Sequence, residues 1–268
     1  MVTPATETLL ARATSGKRSK RMMAILDLIE ERGALSLTDL AEALAISPAT
    51  ARRDLADLAD QSLILRTHGG ASVRDRTREL PVALRDTRFQ DAKRAIARAL
   101  VARLPAEPHV IALCGGTTTA SVARELSGHR DIAVVTNSLT IAGLLAAYPG
   151  VRVIMTGGFL RPQSLELVGA LAESTFNAVN VGTAILGADG ITAAAGVTTH
   201  DETEARTNHA MVSKAQRTVV VADGSKIGRA ALAQCCAIPE IDLLITDSSA
   251  DQDELQRIRA AGVEVVLA

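Results

Sequence analysis

The sequence predicts an α/β chain in two parts, an N-terminal winged helix-turn-helix joined to a larger, mostly parallel α/β domain. Three observations predict it. Ser47-Pro48-Ala49-Thr50-Ala51-Arg52-Arg53-Asp54-Leu55 opens a helix with a hydroxyl cap, a proline and two adjacent arginines. Arg66-Thr67-His68-Gly69-Gly70-Ala71 then forms a glycine turn between short apolar segments. From Val110 onward, apolar strand-like runs alternate with helical patterns, as in a parallel sheet covered on both faces.

Residues 1–16 are polar and mixed, and read as a flexible N-terminus without a signal-peptide pattern. From Lys20 to Arg32, apolar residues at Met22, Ile25, Leu26, Leu28 and Ile29 make a helical stripe that Gly33 stops. Ser36-Leu37-Thr38-Asp39 sets a hydroxyl three residues before an acid, a capping-box-like start for a helix to Leu44. Ala45-Ile46 turns the chain. Ser47 caps the next helix and Pro48 takes its first position, where the missing N–H costs nothing. Leu55 and Leu58 face inward, and Leu63–Leu65 and Ala71–Val73 pair around Gly69-Gly70 as a wing. This unit spans 17–74. A charge-rich stretch with Pro81, 75–88, reads as a linker.

The second domain, 89–268, opens on an amphipathic helix from Phe89 to Leu104, ended by Pro105 and Pro108. Strands are expected at Val110–Cys114, Ile132–Thr136, Val151–Met155, Ala184–Gly187, Thr218–Ala222, Leu243–Thr246 and Val263–Leu267. Helices are expected between most of them, at Thr118–Leu126, Leu139–Ala147, Thr203–Ala215 and Asp251–Ala260. Ligands of such sheets bind at the carboxyl ends of the strands.

Hydrophobic residues make up 47% of the 268, enough for a substantial core, and with aromatics at 1% that core must be aliphatic. No apolar run approaches the roughly 18 residues of a membrane span, so no membrane partner is expected. Cys114, Cys235 and Cys236 have no metal spacing and fit a reduced, cytoplasmic protein. Net charge is −1, but cations cluster: Lys17, Arg18, Lys20 and Arg21 at one helix start, Arg52-Arg53 in another, and Arg74, Arg76 and Arg78 after the wing. Clustered cations suit phosphate neutralisation and counterion release.

A helix-turn-helix presents the first residues of its second helix to base edges in the major groove. Ser47, Pro48, Ala49, Thr50, Arg52 and Arg53 occupy those positions, and arginine can donate two hydrogen bonds to guanine or pair with phosphate. Arg66 and His68 on the wing, with Lys17 and Arg18, would reach the backbone or minor groove. Double-stranded operator DNA is the expected partner.

On these residues the chain resembles the DeoR family of bacterial transcriptional regulators. The family pattern, close to Ser-x-x-Thr-x-Arg-Arg-Asp-Leu and then Arg-x-His-Gly-Gly-Ala, is met at Ser47, Thr50, Arg52 to Leu55, Arg66 and His68 to Ala71. Lys93-Arg94-Ala95-Ile96-Ala97, Gly115 to Thr119, Thr136 to Leu139, Gly157-Gly158 and Asp223 to Lys226 follow in family order. The resemblance covers roughly 17 to 268. It implies a second domain related to ribose-5-phosphate isomerases that binds a phosphorylated sugar, and a repressor of a carbohydrate-metabolism operon relieved by that sugar. The chain departs from the pattern at Ala51, where a bulkier branched residue is common. It departs again at Cys114-Gly115, where the family usually has an acid and a serine; losing that carboxylate removes an acceptor for sugar hydroxyls.

The residues themselves support an anion site. Gly115-Gly116 follows a strand, and Thr117-Thr118-Thr119 opens a helix, so free N–H groups and the positive helix end meet beside three hydroxyls. Lys93 and Lys226 are candidate counter-charges. Asn137, Ser138 and Asp189 follow strands and can bond sugar hydroxyls or act as caps and turn residues; Gly157 and Gly158 complete the set. No catalytic residue, metal or cofactor is expected. His200 and His209 are nine apart, unsuited to one helical face, and the acids Asp201, Glu202 and Glu204 between them read as a solvated loop and helix start. Paired half-sites imply a homodimer or larger homo-oligomer. The alternative is a sugar-phosphate isomerase with an N-terminal interaction module, using Asp189 or Glu204 with Lys226, though no acid and base have compelling spacing.

Overall fold

In the computed structural model, which describes residues 16–74, 79–105 and 109–268, the first apolar stripe becomes helix α1 (Gly16–Arg32). It starts four residues before the expected Lys20, so the whole Lys17–Arg21 cluster lies on the helix. Residues 1–15, Arg76, Arg78 and Pro108 lie outside the described residues. The chain divides into two compact units after Arg88.

The first unit packs α1 with α2 (Leu37–Ala43) and α3 (Pro48–Asp60) over a core that includes Ile25, Ile29, Leu40, Leu55, Leu58 and Ile64. Ser36 and Asp39 close a reciprocal capping box on α2. The wing is β2 (Ile64–Thr67) paired with β3 (Gly70–Val73). A strand not expected from the sequence, β1 (Ala34–Ser36), pairs on the other side of β3. Gly69 makes the turn at φ +89°, and a side chain at Gly70 would strike the Leu35 carbonyl at 2.0 Å. The stretch expected to be a linker is more than a connection. Helix α4 (Val82–Arg85) lies within it, and its Leu84 is buried in the core of this unit, with Arg88 ion-paired to Asp27 on α1.

The second unit starts with α5 (Gln90–Val101). Its main sheet has seven strands, all parallel: β4 (His109–Leu113), β5 (Ile132–Thr136), β6 (Val151–Met155), β9 (Val181–Leu186), β12 (Ala215–Val221), β14 (Leu243–Thr246) and β15 (Glu264–Leu267). Successive strand residues face opposite sides. Ile111 and Leu113 join the core with α5, α6 (Thr117–Leu126) and α7 (Leu139–Leu145), whereas Ala112 and Cys114 join the core with α8 (Ala170–Asn177), α9 (Glu202–Val212) and α10 (Gln252–Ala260). Both faces of the central strands are covered, which is why β4, β5, β9 and β14 read as largely apolar runs, whereas the edge strands β6 and β15 carry Arg152 and Glu264.

Three features were not expected: helix α8, the hairpin β7 (Phe159–Arg161) and β8 (Glu166–Val168), and a small antiparallel sheet of β10 (Gly190–Thr192), β11 (Gly196–Thr199) and β13 (Ala233–Cys236). The strand order is β15-β14-β12-β9-β4-β5-β6. From β4 the chain builds outward through β5 to β6, then returns to the other side of β4 at β9. The switch point lies between β4 and β9, where a parallel sheet opens its crevice.

Candidate functional site

In the first unit the helix expected to read DNA is α3. The Ser47 hydroxyl accepts the Thr50 N–H at 3.2 Å and also meets the Thr50 hydroxyl at 2.9 Å, satisfying one of the helix's open donors. Ala51 is fully buried, so the small residue sits in the core contact. Pro48, Ala49, Arg52 and Arg53 are exposed, as are Arg66 and His68 on the wing and Lys17 on α1. Arg18 differs from the other expected contacts. It pairs with Asp54 and Asp57 on α3, and Arg21 beside it holds Asp54 through two contacts of 2.5 and 3.1 Å. The Asp54 side chain is only 2% exposed. Arg18 and Arg21 therefore seat the recognition helix on α1, a role that sequence reading missed because a basic cluster looks the same whether it faces a phosphate or an internal acid.

In the second unit, the residues expected to bind an effector, Lys93 on α5 apart, follow the carboxyl ends of β4, β5, β6, β9 and β12. Gly116, at φ +125°, precedes α6, and no side chain caps that helix. Its first N–H groups, at the positive end of the helix dipole, directly follow β4 at the switch point of the sheet. Of the three threonines, Thr119 donates its hydroxyl back to the Gly116 carbonyl at 3.1 Å, leaving Thr117 and Thr118 at the opening. Asn137 ends β5. It is 0% exposed and neither atom of its amide has a hydrogen-bond partner. Thr156, after β6, is also buried with an unpartnered hydroxyl. Buried polar groups rarely stay unpaired, and these two stand side by side, since the Thr156 N–H donates to the Thr136 carbonyl.

The remaining residues divide by role. Ser138 caps α7 through the Ile141 N–H at 3.4 Å, the cap alternative of its sequence reading. Gly158, at φ +132°, lies so close to β8 that a Cβ would meet the Val168 carbonyl at 2.6 Å, which gives it a backbone role; Gly157 is exposed. Asp189 accepts from the Thr199 hydroxyl at 3.1 Å. Lys226 lies half-buried in the turn after β12, and Lys93 is buried on α5.

Sequence reading missed Glu166 and placed Glu204 in a solvated segment. Glu166 Oε1 accepts the Gly115 N–H at 2.5 Å, so a carboxyl group does stand at this turn, brought from β8. Glu204, expected in a solvated segment, is buried: it accepts from Thr199 at 2.6 Å and pairs with Arg161 at 3.1 Å. Asp201 caps α9 instead of facing a metal, and no cluster of three metal-ligating side chains occurs among the described residues. Burial, and then the Glu204 charge, push Glu166 well above the ordinary carboxyl range near 4.5. Burial and the Glu166 charge likewise push the Cys114 thiol up. Glu166 has a pH consequence. The unfolded chain releases this proton near the ordinary value while the folded chain keeps it, so above that pH the folded state binds more protons. The stability of the second unit is expected to decline as pH rises above about 4.5, and Glu166→Gln to flatten the decline; urea unfolding across a pH series measures both.

No helix among the described residues is long and apolar enough to cross a membrane. The chain matches the DeoR-like helix-turn-helix domain over residues 21–77 and the DeoR C terminal sensor domain over 88–248. It is 36% identical over 252 residues to a putative aga operon transcriptional repressor of Escherichia coli O157:H7, covering 93% of each chain. It is 40% identical over 249 residues to the HTH-type transcriptional regulator GlpR of Haloferax volcanii, covering 92% of this chain and 97% of that one. Ribose 5-phosphate isomerase A of Methanocaldococcus jannaschii is similar over 51% of this chain and 54% of its own, at 19% identity and a TM-score of 0.39. With both domain families matched in order and two relatives aligned along nearly their whole length, the chain belongs to the DeoR family of transcriptional regulators.

Proposed function

We propose that the chain is a repressor of a carbohydrate-metabolism operon that leaves its operator when a phosphorylated sugar binds the second unit. The reader comprises residues 17–74 and touches DNA through Lys17, Pro48, Ala49, Thr50, Arg52, Arg53, Arg66 and His68. The effector domain comprises 89–268, and the working state is a homodimer or larger assembly that engages paired half-sites. One observation carries the effector reading: the uncapped start of α6 opens at the switch point of the sheet beside Asn137, whose buried amide has no partner. Backbone N–H groups there suit a phosphate, and the amide suits a sugar hydroxyl. The relatives named as repressors support the direction of control. Coupling of effector to operator needs about 1–3 kcal/mol of differential affinity.

A thermal-shift panel of sugar phosphates tests the reading. A bound compound at 100 times its dissociation constant is expected to stabilise the second unit by about 2.7 kcal/mol. The same compound should release operator DNA in a gel shift. A panel in which no phosphorylated compound shifts the transition removes the phosphate site.

A further inference from the structure

The Glu166 carboxyl reaches the Gly115 turn. A Cβ at Gly115 would fall 2.4 Å from its Cγ and Cδ, so the carboxyl fills the volume that a side chain at 115 would occupy. That volume lies one residue before the open start of α6. The backbone of β8 holds Glu166 in place: it bridges to Ser138, and the Leu167 N–H donates to the Asn137 carbonyl at 2.8 Å. Asn137, with its unpartnered buried amide, is thus the immediate neighbour of both the turn and the acid.

Resting on the reading of this turn as a phosphate site, we infer that the Glu166 carboxyl is a specificity-determining group, hydrogen-bonding a sugar oxygen beside the bound phosphate together with the Asn137 amide. Phosphate itself falls to the N–H groups of Gly116 to Thr119, so Glu166 selects among phosphorylated compounds. Its protonation favours this role. Burial and the charge of Glu204 hold it toward the neutral acid, which adds no repulsion to an anion and can accept from a sugar hydroxyl. Its other oxygen remains with the Gly115 N–H. Glu204, held by Thr199 and Arg161, also stands within hydrogen-bonding reach of the Glu166 carboxyl, which fixes the orientation of that acid at the turn.

Calorimetric titration of the full chain with inorganic phosphate, ribose 5-phosphate, glucose 6-phosphate and glycerol 3-phosphate tests the assignment. Glu166→Met, of similar volume but unable to hydrogen-bond, should lower affinity for the preferred sugar phosphate by about tenfold and leave inorganic phosphate unchanged. Glu166→Gln, which keeps a donor and an acceptor, should stay close to wild type. Gly115→Ala, whose Cβ displaces the acid, should repeat the loss by a separate route and decides the matter if Glu166→Met does not fold. Unchanged preference in Glu166→Met and Gly115→Ala overturns the role of Glu166 and leaves the phosphate site standing. Equal loss for inorganic phosphate and sugar phosphates marks a purely structural role and overturns it too. Absence of binding by every phosphorylated compound to the wild-type chain removes the phosphate site and this inference together.

Discussion

Replacing Arg52 and Arg53 together by alanine is expected to weaken operator binding by about a hundredfold or more. Each well-placed arginine contact to a base contributes about 1–3 kcal/mol, and a factor of ten corresponds to about 1.4 kcal/mol. Both side chains are exposed on the second turn of α3, on a helix whose start is fixed by the Ser47 cap. Their removal opens no cavity, so folding stability should hold within about 0.5 kcal/mol, and the loss belongs to recognition. Fluorescence anisotropy with DNA from upstream of its own gene measures it. A salt series separates two modes. Loss of phosphate contacts lowers the slope of log affinity against log salt by about one each, whereas loss of base contacts leaves the slope and relaxes sequence preference. Affinity equal to wild type would remove α3 as the recognition helix.

Arg21→Ala should destabilise the first unit by about 3 kcal/mol. The Asp54 carboxylate is inside the unit, and Arg21 gives it two of its contacts, at 2.5 and 3.1 Å; Arg18 then remains with a longer one at 3.5 Å. Taking away one partner leaves a poorly compensated buried charge, which costs far more than the intact pair contributes. The arginine is partly exposed, so part of the loss is recovered by solvent. Urea unfolding followed on the first unit reads the effect, and operator affinity should fall with it because α3 loses its tie to α1. A midpoint unmoved by the substitution would assign the seating of α3 to the apolar core alone. Asp54 lies directly after Arg53, so neighbouring residues of one motif serve opposite ends: Arg52 and Arg53 face outward while Asp54 turns in.

The alternation of α5 to β15 was legible because strands buried on both faces are largely apolar, and the helices between them, α8 apart, carry a cap or a stripe. The hairpin of β7 and β8 was not. Its strands are three residues long, and Leu165-Glu166-Leu167 alternates as a half-exposed strand would, which assigns the acid to solvent. The small sheet of β10, β11 and β13 escaped for a similar reason, since its pairing joins segments too short to show a period. In the first unit β1 was hidden between two helices. The glycine pair at 115 and 116 was legible as a turn before a helix; that the turn lies at the switch point was not.

By itself the sequence determined the reader helix, the wing and the alternating αβ order, because caps, turns and hydrophobic periods are local properties of a few neighbouring residues. Only the tertiary structure decided that Arg18 and Arg21 turn inward to Asp54. Only the sheet order, which returns from β6 to β9, set the opening between β4 and β9. The fold alone brought Glu166 across 51 residues to Gly115. The reason is physical: strand order and the burial of a charge depend on what the rest of the chain places opposite, and no run of adjacent residues records that.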